Sequence, residues 1–125
     1  MEYLWVGLGG CLGANVRYIL GMWIVGRVGS GFPLSTLLIN VTGSFVIGTI
    51  LVVLTERLIA DPAWRLFLVV GFLGGYTTFS SYTFEALALM EQGAWLPAIV
   101  YIVGSNGGGL VAAYLGMVLA RVLAR

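Results

Sequence analysis

GFLGGYTTFSSYTFE, residues Gly71–Glu85, decides the reading of this chain, because it lies within a run otherwise apolar enough to cross a membrane. Glycines, aromatic rings, a carboxylate and five hydroxyls (Thr77, Thr78, Ser80, Ser81 and Thr83) interrupt an apolar helix near mid-depth. In hydrocarbon each unpaired backbone N–H or C=O costs several kcal/mol, so a broken helix persists only where protein buries it or where it lines a polar path. Interruptions of this kind mark ion or substrate sites in transport proteins. The stretch therefore implies passage of something small across a bilayer.

Composition agrees. Hydrophobic residues make up 60% of the 125 positions and charged residues 9%, and the mean hydropathy is +1.04. A soluble domain of this size cannot bury that much apolar surface, so the chain reads as an all-α integral membrane protein. A net charge of +1 leaves no basic field to attract nucleic acid. Histidine is absent and Cys11 is the sole cysteine. This excludes histidine acid–base chemistry, a Cys/His metal cluster and an intrachain disulfide. Cys11 reads as a small buried apolar residue, with crosslinking of a dimer as the lesser reading. The first apolar run starts at Glu2 without a basic region before it or a cleavage pattern after it, and so reads as a retained span.

Four segments reach the roughly 20 residues that a span requires: Leu4–Val25, Leu34–Thr55, Trp64–Leu89 and Trp95–Leu119. They form a single membrane domain over residues 1–125, with the third span broken near Gly74–Phe79. Trp5, Trp23, Trp64 and Trp95 fall near span ends, as interfacial aromatics do. Arg57, Arg65, Arg121 and Arg125 lie on the side of both termini and Arg27 on the other, a weak bias toward cytoplasmic termini. Small-xxx-small pairs (Gly9/Gly13, Gly71/Gly75, Gly104/Gly108) allow close helix packing. Four short helices cannot enclose a pore alone, so a homo-oligomer is expected.

The polar residues of the spans fall on stripes. Thr36, Asn40 and Ser44 are spaced i, i+4, i+8, and Tyr101 and Ser105 repeat that step, followed by Asn106. Interhelical hydrogen bonding alone accounts for any one stripe; with the hydroxyls of Thr77, Thr78, Ser80 and Ser81 on the third span, three at matched depth suggest a path. The Asn40 amide has two donors, which suit an anion as well as a neighbouring helix. Phe79, Tyr82 and Thr83 share a face, and the positive rim of an aromatic ring can meet an anion. Arg17 and Glu85 are the intramembrane charges, readable equally as an ion pair or as an anion vestibule at Arg17. The glycines of GLGGCLG (Gly7–Gly13) miss the G-x-G-x-x-G spacing. The Ser/Thr cluster has neither a histidine nor a G-x-S-x-G elbow, so an enzyme is not expected.

GGCLGANVRY (Gly9–Tyr18), STLLINVTGSFVIG (Ser35–Gly48) and GFLGGYTTFSSYTFE together resemble the Fluc/CrcB family of fluoride ion channels across the whole chain. N-x-x-G-S-F (Asn40–Phe45) with G-G-x-T-T-F-S (Gly74–Ser80) is the specific part. The resemblance implies an antiparallel, dual-topology dimer in a prokaryotic inner membrane, with two fluoride pores and a central structural sodium ion. The partner would be a second copy or a paired homologue. It implies backbone carbonyls of Gly74 and Thr77 as sodium ligands and Asn40 as the pore amide. Phe79 would be the first ring of a phenylalanine box, with Ser80 and Ser81 as hydroxyls between the rings. Thr36, Tyr101 and Ser105 would form a polar track, with Glu85 the acidic residue after the box and Arg17 the first-helix arginine. Two positions depart from the family pattern: Tyr82 stands where the second phenylalanine is usual, and Gly109 where a serine is expected.

The function so implied is passive export of cytoplasmic fluoride. The competing reading is a proton-coupled, dual-topology small-molecule exporter, for which Glu85 is the sole candidate carboxylate. A third reading is a non-transporting packing subunit, which would not require the polar stripes.

Overall fold

The computed structural model describes residues 1–57 and 61–123, the Arg57 side chain excepted. Arg125 and the Arg57 side chain, both counted above for orientation, lie outside the described residues. Those residues are helical, with no strand among them. Helix α1 runs Glu2–Val28 and ends where Gly29 takes φ 81°, a left-handed turn that glycine adopts without a steric cost. Helix α2, Leu34–Val52, continues into a wider π-type turn over Val53–Arg57. Short α3, Pro62–Arg65, starts with proline in its first turn, and the Asp61 carboxylate accepts from the Ala63 N–H. A π-type segment, Leu66–Leu73, then leads into α4, Gly74–Tyr76. Helix α5 is Phe79–Glu91, and Gly93 at φ 74° turns the chain into α6, Trp95–Leu123.

Three helical stretches are long and apolar enough to cross a membrane: Glu2–Val28, Leu34–Glu56 and Trp95–Leu123. The expected span at 64–89 has no single helix of that length. Thr77 (φ −82°, ψ 159°) and Thr78 (φ −149°, ψ 118°) are extended, which separates α4 from α5. Much of the outer surface is apolar, including Leu8, Leu12 and Ile19 on α1 and Leu110, Val111 and Leu115 on α6. Helices apolar around most of their circumference suit a lipid surround. Cys11 also lies on the exposed face of α1, contrary to the buried position expected. The buried face of α1 is taken by Gly9 and Gly13.

Glycine sets the packing. A Cβ on Gly9 would run into the Phe67 carbonyl oxygen, and one on Gly13 into that of Phe72. From the other side, a Cβ on Gly71 or Gly75 would press on the carbonyl oxygen of Val6 or Gly10. Helix α1 therefore seats on the π-type segment and α4 backbone to backbone. Gly48 and Gly116 do the same for α2 and α6, against Ala113 and Phe45. The small-residue pairs that signalled close helix packing are thus used within one protomer, and Gly104 and Gly108 face Leu37 and Val41 of α2. They are no argument for an oligomer.

Gly13→Ala is expected to destabilise the fold by roughly 1–3 kcal/mol through overpacking. Gly7→Ala, where nothing lies within 4 Å of the added carbon, serves as its control. Thermal unfolding in detergent should show a lowered midpoint for the first variant only. Equal midpoints would mean that α1 does not pack on the π-type segment as described.

Candidate functional site

The site is built around the two extended threonines. Leaving the helix at Thr77 strands backbone groups that an unbroken helix would have paired. The Thr78 N–H, which would close the helical bond to the Gly74 carbonyl, instead donates to Asn40 Oδ1 at 2.8 Å. Asn40 Nδ2 donates in return to the Thr78 carbonyl at 2.9 Å. The Ser81 N–H, the helical partner that the Thr77 carbonyl would have had, donates to Thr78 Oγ1 and so caps α5. One asparagine on α2 thus satisfies both polar groups of Thr78. The carbonyls of Gly74 and Thr77 are left without their helical donors.

The N-x-x-G-S-F motif follows from this geometry. Asn40 holds Thr78; one turn on, Gly43 leaves room for the Thr77 methyl and the Tyr76 ring, which a Cβ would strike. Ser44 Oγ donates back to the Asn40 carbonyl at 2.8 Å. Thr42 Oγ1 lies 2.9 Å from the Tyr76 hydroxyl, which joins α2 to α4 once more. Thr77 Oγ1 donates to the Leu73 carbonyl at 2.9 Å, turning its hydroxyl back along the chain.

Two hollows flank the Asn40–Thr78 crossing, and Thr78 borders both. The first, about 370 Å³, is lined among others by Asn40, Ser44, Gly74, Thr77, Phe79, Tyr82, Ser105 and Asn106. Ser105 Oγ is buried and has no hydrogen-bond partner among the described residues. Since a buried hydroxyl is costly to leave unpaired, this one is poised for a ligand. The Cβ position of Gly109, where a track serine is absent, lies 3.4 Å from Ser44 Oγ. Phe79 packs its ring 5.7 Å from that of Tyr82 at 48°, yet is 75% exposed. Tyr82 in turn lies 5.4 Å from Tyr101. The second hollow, about 290 Å³, is lined by Arg17, Ser35, Thr36, Thr78 and Ser81 among others. Ser81 Oγ accepts from Thr78 Oγ1 at 3.0 Å, and Ser80 Oγ lies 3.4 Å from that same hydroxyl.

Glu85 does not pair with Arg17. Its Oε1 accepts from Thr36 at 2.9 Å and its Oε2 from the Tyr101 hydroxyl at 2.6 Å. The two hydroxyl donors join α2, α5 and α6 through one side chain. Arg17 instead faces the second hollow. The ion pair found among the described residues is Arg121–Glu56 at 2.7 Å, far along the chain from the site.

Asn106 was not among the expected site residues. Its Nδ2 donates to the Tyr82 hydroxyl at 2.7 Å and to the Ile102 carbonyl at 2.8 Å. The sequence signal was an amide in an apolar helix next to Ser105; nothing in the spacing linked it to Tyr82, 24 residues away.

Comparison with known proteins bears on this arrangement. The family described as CrcB-like protein, Camphor Resistance (CrcB), matches residues 4–117. This chain belongs to the CrcB family. The CrcB chain is 47% identical over 121 residues to a protein of Acidobacterium capsulatum, with 97% of each covered. It is 48% identical to one of Solibacter usitatus, covering 97% of this chain and 99% of the relative. It is 50% identical over 122 residues to one of Thermus thermophilus, at 98% and 95% coverage. Each of these relatives carries the name fluoride-specific ion channel FluC. The CrcB chain is thus a multi-pass membrane protein of a prokaryotic ion-channel family, and not an enzyme.

Proposed function

We propose that the protein is a passive fluoride channel that lets cytoplasmic fluoride leave down its electrochemical gradient. The observation that carries this reading is Ser105 Oγ, a buried unpartnered hydroxyl in a hollow bordered by aromatic rings. Fluoride is small and strongly hydrated, so a pore must replace its water with well-placed donors. The Ser105 hydroxyl, the second amide hydrogen of Asn40 and the rims of Phe79 and Tyr82 are the groups at hand. Among the described residues no lysine or arginine lines that hollow to hold the anion fast. Arg17 in the second hollow supplies a positive potential at an approach.

The working unit in this reading is an antiparallel, dual-topology dimer of two copies, or of this chain with a paired homologue. In it the third span is broken at Thr77–Thr78 within the bilayer. Exposure of Phe79 at the mouth of an open hollow supports a second chain there. The freed carbonyls of Gly74 and Thr77 suit a hard cation, and the partner's equivalent pair would complete a sodium site on the two-fold axis. A sodium ion bound there would supply a fixed positive charge that favours anions nearby.

Release of fluoride from loaded liposomes, followed with a fluoride electrode, tests the function. Release should exceed that from protein-free vesicles, should persist when a protonophore collapses the proton gradient, and should not extend to chloride. Absence of release, or equal passage of chloride, would refute the reading. Glu85→Gln separates the channel from a proton-coupled exporter. Glutamine keeps one carbonyl acceptor, and a rotated hydroxyl can accept from its amide. Fluoride release should therefore persist with a loss of no more than about tenfold, the equivalent of about one hydrogen bond. An exporter deprived of its one membrane carboxylate would stop entirely.

A further inference from the structure

We propose that the Tyr82 hydroxyl is itself a fluoride donor in the first hollow, held in that role by Asn106; the inference rests on the channel reading above. The argument starts at Ile102. Its carbonyl oxygen can only accept, so the Asn106 atom 2.8 Å from it must be the amide nitrogen. That contact fixes the orientation of the amide. The same nitrogen lies 2.7 Å from the Tyr82 oxygen, so its other hydrogen points at the phenol and the phenol oxygen accepts. The phenolic proton cannot point back at Asn106. It has no acceptor among the described residues, and both Tyr82 and Asn106 line the hollow that holds the unpartnered Ser105 hydroxyl.

The ring cannot readily swing the hydroxyl elsewhere, since it is packed between Phe79 at 5.7 Å and Tyr101 at 5.4 Å. A phenol O–H is a stronger anion ligand than the C–H rim of a ring, because its proton carries more charge and can approach more closely. Tyr82 is therefore a ligand, and Asn106 a positioning residue that acts through it.

Single-channel current measured against symmetrical fluoride concentration tests this, with dimer integrity checked by size-exclusion chromatography. Tyr82→Phe removes one oxygen and keeps the ring packing; the half-saturating fluoride concentration should rise about tenfold, as for loss of a hydrogen bond to an ion. Asn106→Leu frees the phenolic O–H to turn about its C–O bond and should raise it by a smaller factor, but should have no effect when combined with Tyr82→Phe. Asn106→Asp turns the phenolic proton toward the new carboxylate and adds a negative charge, so it should be worse than Tyr82→Phe. The double variant Tyr82→Phe/Asn106→Asp should then match Asn106→Asp alone. A role for Asn106 in helix packing alone would give losses independent of residue 82. An unchanged half-saturating concentration in Tyr82→Phe, or losses that multiply in the double variants, would overturn the proposal while the wild type still conducts. A wild-type protein that passes no fluoride removes the channel reading and this proposal with it.

Discussion

Asn40→Asp is expected to abolish fluoride release from vesicles while the protein still inserts and purifies. In the native chain the Asn40 amide answers a donor with its oxygen and an acceptor with its nitrogen, both on Thr78. Aspartate keeps the first contact. It places an oxygen 2.9 Å from the Thr78 carbonyl oxygen in place of the second, where two acceptors repel. It also brings a negative charge to the wall of the hollow that an anion must enter. Asn40→Ala is milder in charge but leaves both Thr78 groups unpaired, at about 1–3 kcal/mol for each buried group. That penalty favours repair of the helix across Thr77–Thr78 or collapse of the hollow, and release should fall to the protein-free level there too. Fluoride-electrode traces from the two variants beside wild type make the comparison. Release by Asn40→Asp at the wild-type rate would show that the amide is not part of the path.

Phe79→Ile should also stop fluoride release, with the fold unchanged. The ring is 75% exposed in the protomer, so its replacement removes little buried packing within the chain. Its stability contribution there is correspondingly small, and isoleucine is apolar and well tolerated in a membrane. What isoleucine lacks is the ring quadrupole, whose positive edge attracts an anion. The variant therefore tests ring electrostatics separately from hydrophobic burial. Elution of Phe79→Ile at the wild-type volume with loss of release is the expected pair of results. Full release by Phe79→Ile would mean that the Phe79 ring edge does not carry the ion, and that the remaining groups of the hollow suffice.

The sequence and the structure contributed differently to this account. Helical class and membrane residence follow from composition and from runs of about 20 apolar residues, which are properties of the chain that no packing can alter. Asn40, Ser44 and Ser105 were legible because polar groups at mid-membrane depth demand an explanation one by one, Phe79 and Tyr82 because their rings share a face beside the hydroxyl cluster, and the carbonyls of Gly74 and Thr77 through the family resemblance. The structure brings all of these onto one hollow. Arg17 and Glu85 stood equally as a pair or as separate groups. Only the arrangement of α2, α5 and α6 shows that Thr36 and Tyr101 take both oxygens of Glu85.

Glycine pairs were visible as close-packing signals, but not which surfaces they close. The same three-residue gap can face another span of the same chain or another copy, and local spacing is identical in both cases. Here the pairs on α1 and on the segment after Leu66 face each other. Asn106 marks the same limit from the other side. A hydrogen bond between residues 24 apart on two helices has no local period; it exists only once the turn at Gly93 lays α6 beside α5. What the sequence by itself determined is which residues cannot be left in lipid without a partner. Who the partners are was decided by the tertiary structure, because a hydrogen bond is set by distance and direction in space, and separation along the chain specifies neither beyond a turn or two of helix.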